Sequence, residues 1–151
     1  MATDTATQTT AQTETNAWQY GVVAGVVAAI VMGGLMAMQM RPVLEVAIPS
    51  MYFLTGGFAG FTIHVAHGAV LGVVFAAIAS TQADLTIAKS TALGVGYGVV
   101  LWIVLAVLVM PIWLSVVGSP ANPPLPNVSV MSLVGHVVYG VVLGGAYAAL
   151  R

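Results

Sequence analysis

The sequence predicts an all-α membrane protein, a polytopic bundle of four transmembrane helices made from two tandem helical hairpins. Three observations carry that prediction. The first is the scarcity of charge. Of 151 residues, 60% are hydrophobic and 5% charged, with mean hydropathy +1.03, whereas a soluble domain carries about 25% charged residues. The second is where the charges fall. Asp4, Glu14, Arg41, Glu45, Asp84, Lys89 and Arg151 leave 15–40, 46–83 and 90–150 uncharged. Each stretch holds at least one span of about 20 residues, and the last holds two. The third is an internal repeat. Residues 64–79 (HVAHGAVLGVVFAAIA) and 136–151 (HVVYGVVLGGAYAALR) share eight of sixteen letters.

The elements follow in order. Residues 1–17 are rich in Thr, Gln and Ala and mildly acidic, a composition that predicts a disordered polar tail ahead of a transmembrane domain over 18–151. The tail has no basic start, so it does not read as a signal peptide. Helix 1 is expected from Trp18 to Met40, with Trp18 and Tyr20 at a membrane interface. Arg41-Pro42 ends it, because the residue before proline disfavours helix. Residues 41–58 are expected as a connection at the membrane surface with a short apolar segment. Helix 2 covers 59–80, and 80–89 is a polar turn. Helix 3 covers 90–116, with a kink expected at Pro111. The Pro-rich loop 118–127 leads to helix 4 over 129–150.

The repeat makes the hairpins about 18–80 and 90–150. It extends weakly to the first helix of each, pairing 20–32 with 97–110. Two tandem hairpins form a parallel repeat about an axis near the membrane normal, unlike the inverted repeats of many transporters. Both termini then share one side. Lys89 and Arg151 lie on that side and Arg41 on the other, a bias that favours N-in and C-in.

Composition excludes several roles. A net charge of −1 offers no basic patch for nucleic acid. Without cysteine there are no disulfides, iron–sulfur clusters or thiolate metal sites. No span carries a carboxylate to act as a base, and neither a phosphate-binding glycine loop nor HExxH occurs. The expectation is a protein that is not an enzyme, with the lipid bilayer as its first partner.

Small-xxx-small pairs occur in every span: Gly21/Gly25, Gly68/Gly72, Gly94/Gly98 and Gly140/Gly144. Glycine lets helix backbones approach closely in lipid, where helices gain nothing from hydrophobic burial. These pairs either tighten the bundle itself or serve a partner subunit or homo-oligomer.

The histidines are the candidate cofactor residues. The repeat pairs His64 with His136, and His67 lies one turn further along helix 2 on nearly the same face. Ionisable groups inside spans are costly and face the bundle interior or a water path. Four readings remain open: a packing role in which each ring bonds a backbone carbonyl, Ser132 or Tyr139; haem b between His64 and His136; a metal site; and a proton path along His64, His67 and His136. Methionines add to the metal reading. Met32, Met36 and Met40 stripe one face of helix 1. Met36, Met40 and Met110 approach the same end as the histidines, with Met51 and Met131 nearby. Thioether and imidazole donors suit Cu(I), although Met is also an ordinary filler of apolar gaps. Candidate metal ligands are Met36, Met40, Met110 and His67.

The motif His-x-x-x-Gly-x-x-x-Gly-x-x-Tyr/Phe-Ala occurs as His64, Gly68, Gly72, Phe75-Ala76 and as His136, Gly140, Gly144, Tyr147-Ala148. In these residues the chain resembles small four-helix prokaryotic membrane proteins of unknown function, including the YagU-like inner-membrane proteins, over most of 18–151. The acidic Thr-rich tail and the scarcity of Lys and Cys resemble haloarchaeal usage. The resemblance implies a small multi-pass cell-membrane protein with no assigned reaction, so no catalytic residue transfers. Small apolar four-helix subunits also occur in respiratory complexes, which is fold-level analogy. The leading expectation is an accessory or assembly component of a membrane complex. The alternatives are a haem- or copper-binding membrane protein and a small permease or proton-linked channel.

Overall fold

The computed structural model describes residues 16–151. The predicted tail therefore lies outside the described residues except for Asn16 and Ala17, and Ala17 already opens the first helix. All described secondary structure is helical. Helix α1 is Ala17–Gln39; α2 is a short segment, π-helical over Val43–Ala47 and α-helical over Ile48–Ser50; α3 is Gly57–Ser80. Helix α4 spans Ile87–Val116 and α5 is Val130–Leu150. Four of these, α1, α3, α4 and α5, are long and apolar enough to cross a membrane. Their outward faces carry Val23, Val27, Ile30, Val70, Val74, Val100, Ile103, Val104 and Leu108 in exposed positions. Such a continuous apolar surface requires lipid around it.

Helix starts follow local chemistry. Thr86 caps α4 by accepting from the Lys89 N–H at 3.3 Å, and Ser129 caps α5 by accepting from the Ser132 N–H at 3.3 Å. Both satisfy donors that a helix leaves orphaned at its N-terminus.

Glycine decides which helices meet. A Cβ at Gly25 would lie against the Gly68 carbonyl oxygen, and one at Gly72 against that of Gly21. In the second hairpin, Gly140 meets the Gly94 carbonyl, Gly98 that of His136, and Gly144 that of Ser90. All eight predicted packing glycines are used inside the chain, at the α1–α3 and α4–α5 seams. Gly21 thus faces Gly72 much as Ser90 faces Gly144. That register differs from the alignment of 20–32 with 97–110, because backbone approach, not letter identity, sets the pairing.

Below the histidines, towards the end that holds residue 17 and residue 151, the core is closed. Ala24, Ala28, Phe75, Ala76, Leu143 and Tyr147 are buried there. Phe75 and Tyr147 stack edge to face at 5.6 Å, a favoured aromatic geometry. The hairpins join mainly through α1 and α5, whereas the α3 and α4 backbones stand apart and are bridged by Tyr97, which packs on Phe75. An exact two-fold axis would make those seams alike, and they are not.

Two expectations need correction. Residues 41–58 are not a plain surface connection. Segment α2 folds inward onto α3, burying Leu44, Ala47, Ile48, Pro49 and Ser50, with Gly60 close against the Leu44 carbonyl. Nor does Pro111 produce a local kink alone. Helix α4 is α-helical over Ile87–Leu101, π-helical over Trp102–Val109 and α-helical again from Met110.

Proline explains both irregular stretches. It has no N–H to give the carbonyls four and five residues earlier. For Pro111 these belong to Val107 and Ala106. Asn127 supplies both replacements: its N–H donates to Val107 O at 3.0 Å and its Nδ2 to Ala106 O at 3.4 Å. For Pro49 the freed carbonyl of Glu45 accepts from the Gly56 N–H at 3.0 Å. A freed carbonyl in an apolar medium must find such a partner.

Candidate functional site

The open α3–α4 seam leads into a cavity of about 450 Å³ near the α2 end of the bundle. His64, His67 and His136 all line it, as do Met32, Met36, Met40, Met51 and Met110. The predicted ligand candidates on four elements are therefore brought to one space. The π-helical stretch of α4 contributes Leu105, Ala106 and Val109, in keeping with the concentration of π-turns at functional sites.

The cavity mouth is lateral. Val70 on α3 and Val109 and Trp113 on α4 line it and are also exposed on the lipid-facing surface. Its roof is tied across the hairpins. Trp113 donates through Nε1 to Met51 O at 3.1 Å, and the Ser50 and Ser119 hydroxyls share a hydrogen bond of 2.6 Å. These ties hold the turn after α2, where Phe53 has φ of 60°, a left-handed conformation unusual for a bulky residue. The turn sets Tyr52 beside His67, with 2.6 Å between Oη and Nε2.

The inner polar groups are held by backbone carbonyls. His64 Nε2 lies 3.1 Å from Ala29 O on α1, and His136 Nδ1 lies 2.8 Å from Ser132 O in its own helix. A carbonyl only accepts, so each of those nitrogens carries hydrogen. The lone pairs then sit on His64 Nδ1 and His136 Nε2. Neither has a partner among the described residues, and neither is fully buried, since Trp102 Nε1 is the buried side-chain N or O without a partner; both rings belong to residues that line the cavity. Tyr139 donates its hydroxyl to Gly68 O at 2.9 Å, and Tyr97 donates to Leu71 O at 2.8 Å.

Methionines of α1 line the cavity together with the two inner rings. His64 lies against Gly33, next to Met32. On the far side, Met32 and Met40 place their methyl carbons 3.2 and 3.8 Å from where a Cβ of Gly135 would stand, next to His136. Among the described residues, no three His, Cys, Asp or Glu side chains gather as a metal group. Any metal here would rely on thioethers.

Sequence reasoning missed Tyr52 and Asn127. Nothing in their spacing marks them, because each acts through a chain reversal. Comparison with protein-family models, curated proteins and solved structures gives no match.

Proposed function

We propose that this chain is a non-enzymatic integral membrane protein that acts by binding a small lipid-dissolved molecule between its hairpins, as an accessory component of a membrane complex. One observation carries the reading: a cavity of about 450 Å³ that opens sideways through the α3–α4 seam. Small-molecule sites are typically about 300–1,000 Å³, mostly apolar, with a few polar groups that fix orientation. This cavity has apolar walls and two inner histidines held by carbonyls. A continuous proton path finds less support, because Phe75, Leu143 and Tyr147 close the core beyond Gly68. The two hairpins serve as copies of one unit, and both termini face the cytoplasm.

A second reading has its own support. Met32, Met36 and Met40 line the same cavity as the ring nitrogens that keep lone pairs, a soft donor set suited to Cu(I). Each ring already gives its N–H to a carbonyl, the orientation found for metal-bound histidine. Haem b at His64 and His136 calls on the same nitrogens.

One preparation separates these readings. The protein is purified in lipid nanodiscs, extracted with organic solvent, and assayed for metals and absorbance. The expected result is an organic molecule at about one per chain, lost or weakened in Ala106→Phe, which adds a ring to the cavity wall. Copper that is lost in His64→Ala makes the second reading the function, and a Soret band makes it haem. An empty cavity in all three assays overturns the proposal. For orientation, the cysteine-free chain permits single labels at Gln82→Cys and Asn122→Cys. A membrane-impermeant maleimide reagent added outside should reach only Asn122→Cys.

A further inference from the structure

We infer that the cavity selects ligands bearing a hydroxyl group and discriminates against the same molecule with that hydroxyl blocked. The inference rests on the binding role proposed above and adds the chemical class of the ligand. It follows from an inventory of donors and acceptors. His64 Nε2 and His136 Nδ1 give their hydrogens to Ala29 O and Ser132 O, so His64 Nδ1 and His136 Nε2 present lone pairs. Tyr139 has committed its hydrogen to Gly68 O, and its oxygen can only accept from a ligand. Tyr52 and His67 are paired with each other nearer the mouth, and the pair keeps one further hydrogen, on His67 Nδ1 or on Tyr52 Oη according to the tautomer. Ser132 lines the cavity, and its hydroxyl is the inner group able to serve as donor or acceptor.

Beyond the Tyr52–His67 pair, the interior therefore offers several acceptors and one optional donor, from Ser132. A ligand with only acceptors, such as a ketone, quinone or ether, leaves both ring nitrogens bare in an apolar space. An apolar molecule with a hydroxyl head satisfies at least one of them. It reaches them through the gap between Val70 and Val109 with its tail remaining in lipid. Phenols and hydroquinones on one hand and long-chain alcohols on the other supply this chemistry. The methionines adapt to either shape, being flexible and polarisable.

The test uses the full chain in nanodiscs with its methionine methyls labelled with carbon-13. Met32, Met36, Met40, Met51 and Met110 report on the cavity, and the exposed Met38 and Met131 serve as controls. The probes are 4-decylphenol, 1-dodecanol and 4-decylanisole, the methyl ether of the first. The phenol should shift the cavity methyls and leave the controls unmoved. The anisole should bind about tenfold more weakly, as expected for one lost hydrogen bond. Binding of the phenol alone or the alcohol alone, with the ether rejected, upholds the inference and names the ligand source. Equal binding of phenol and anisole overturns it while leaving the cavity as a binding site. If no probe shifts the cavity methyls, both the inference and the binding role fall.

Discussion

The two ends of the bundle solve opposite problems. At the end near residues 17 and 151, α1–α3 and α4–α5 pack backbone on backbone through Gly21, Gly25, Gly72, Gly94, Gly140 and Gly144. At the α2 end, the helices become π-helical, prolines interrupt them, and α3 stands away from α4. The closed end uses regular helices and small residues. The open end uses irregular helices whose freed carbonyls are repaired from loops. The contrast teaches that in lipid a cavity requires every displaced backbone group to be re-satisfied, and here the loops do that.

The largest effect should come from breaking the closed end. Gly25→Val or Gly140→Val drives a side chain into a facing backbone carbonyl, which neither helix can relieve by a rotamer change. The loss should be on the order of 3 kcal/mol in a denaturant titration. Gly34→Ala and Gly96→Ala, where a Cβ meets nothing within 4 Å, should be neutral or stabilising by about 0.5–1 kcal/mol. Equal losses in the two sets would show that backbone contact is not what holds this end.

Next comes the repair at the open end. Asn127→Leu strips the Ala106 carbonyl of its Nδ2 partner, leaves the backbone N–H on Val107 O, and should cost about 1–3 kcal/mol. Adding Pro111→Ala restores an N–H within α4, so the double variant should recover part of that loss. A strictly additive cycle would separate Asn127 from the proline. The comparison sharpens further with Tyr139→Phe, which removes one donor from Gly68 O. Its cost should be about 0.6 kcal/mol, typical of hydrogen bonds between membrane helices. The smallest effect belongs to the exposed Arg41–Glu45 pair, 3.1 Å apart. Arg41→Ala should change stability by less than about 0.5 kcal/mol, read in the same titration at two salt concentrations.

Much of the closed end was legible. The spans followed from charge-free stretches, and the eight glycines from their four-residue spacing, because both signals are local and periodic. Helix limits moved by up to three residues, at Ile87, where the cap comes from Thr86. The open end was legible only as a list of residues. His64, His136 and the Met stripe drew attention as polar or soft groups in apolar helices. That they share one cavity depends on how far α3 stands from α4, which no spacing encodes. Residues 41–58 read as a connection because Arg41-Pro42 argues against helix, yet α2 forms, with Gly56 serving the carbonyl that Pro49 leaves free.

The sequence by itself determined that the chain crosses a membrane, where it turns, and which helix faces can approach closely. These properties depend on hydropathy and on the helical repeat, which neighbouring residues set. Only the tertiary structure decided that one inter-hairpin seam closes and the other opens. It also decided which nitrogen of His64 keeps its lone pair and where the Tyr139 hydroxyl is committed. Both outcomes depend on carbonyls brought from distant positions, Ala29 beside His64 and Gly68 beside Tyr139, and a backbone carbonyl is the same group in every residue, so the letters carry no mark of it.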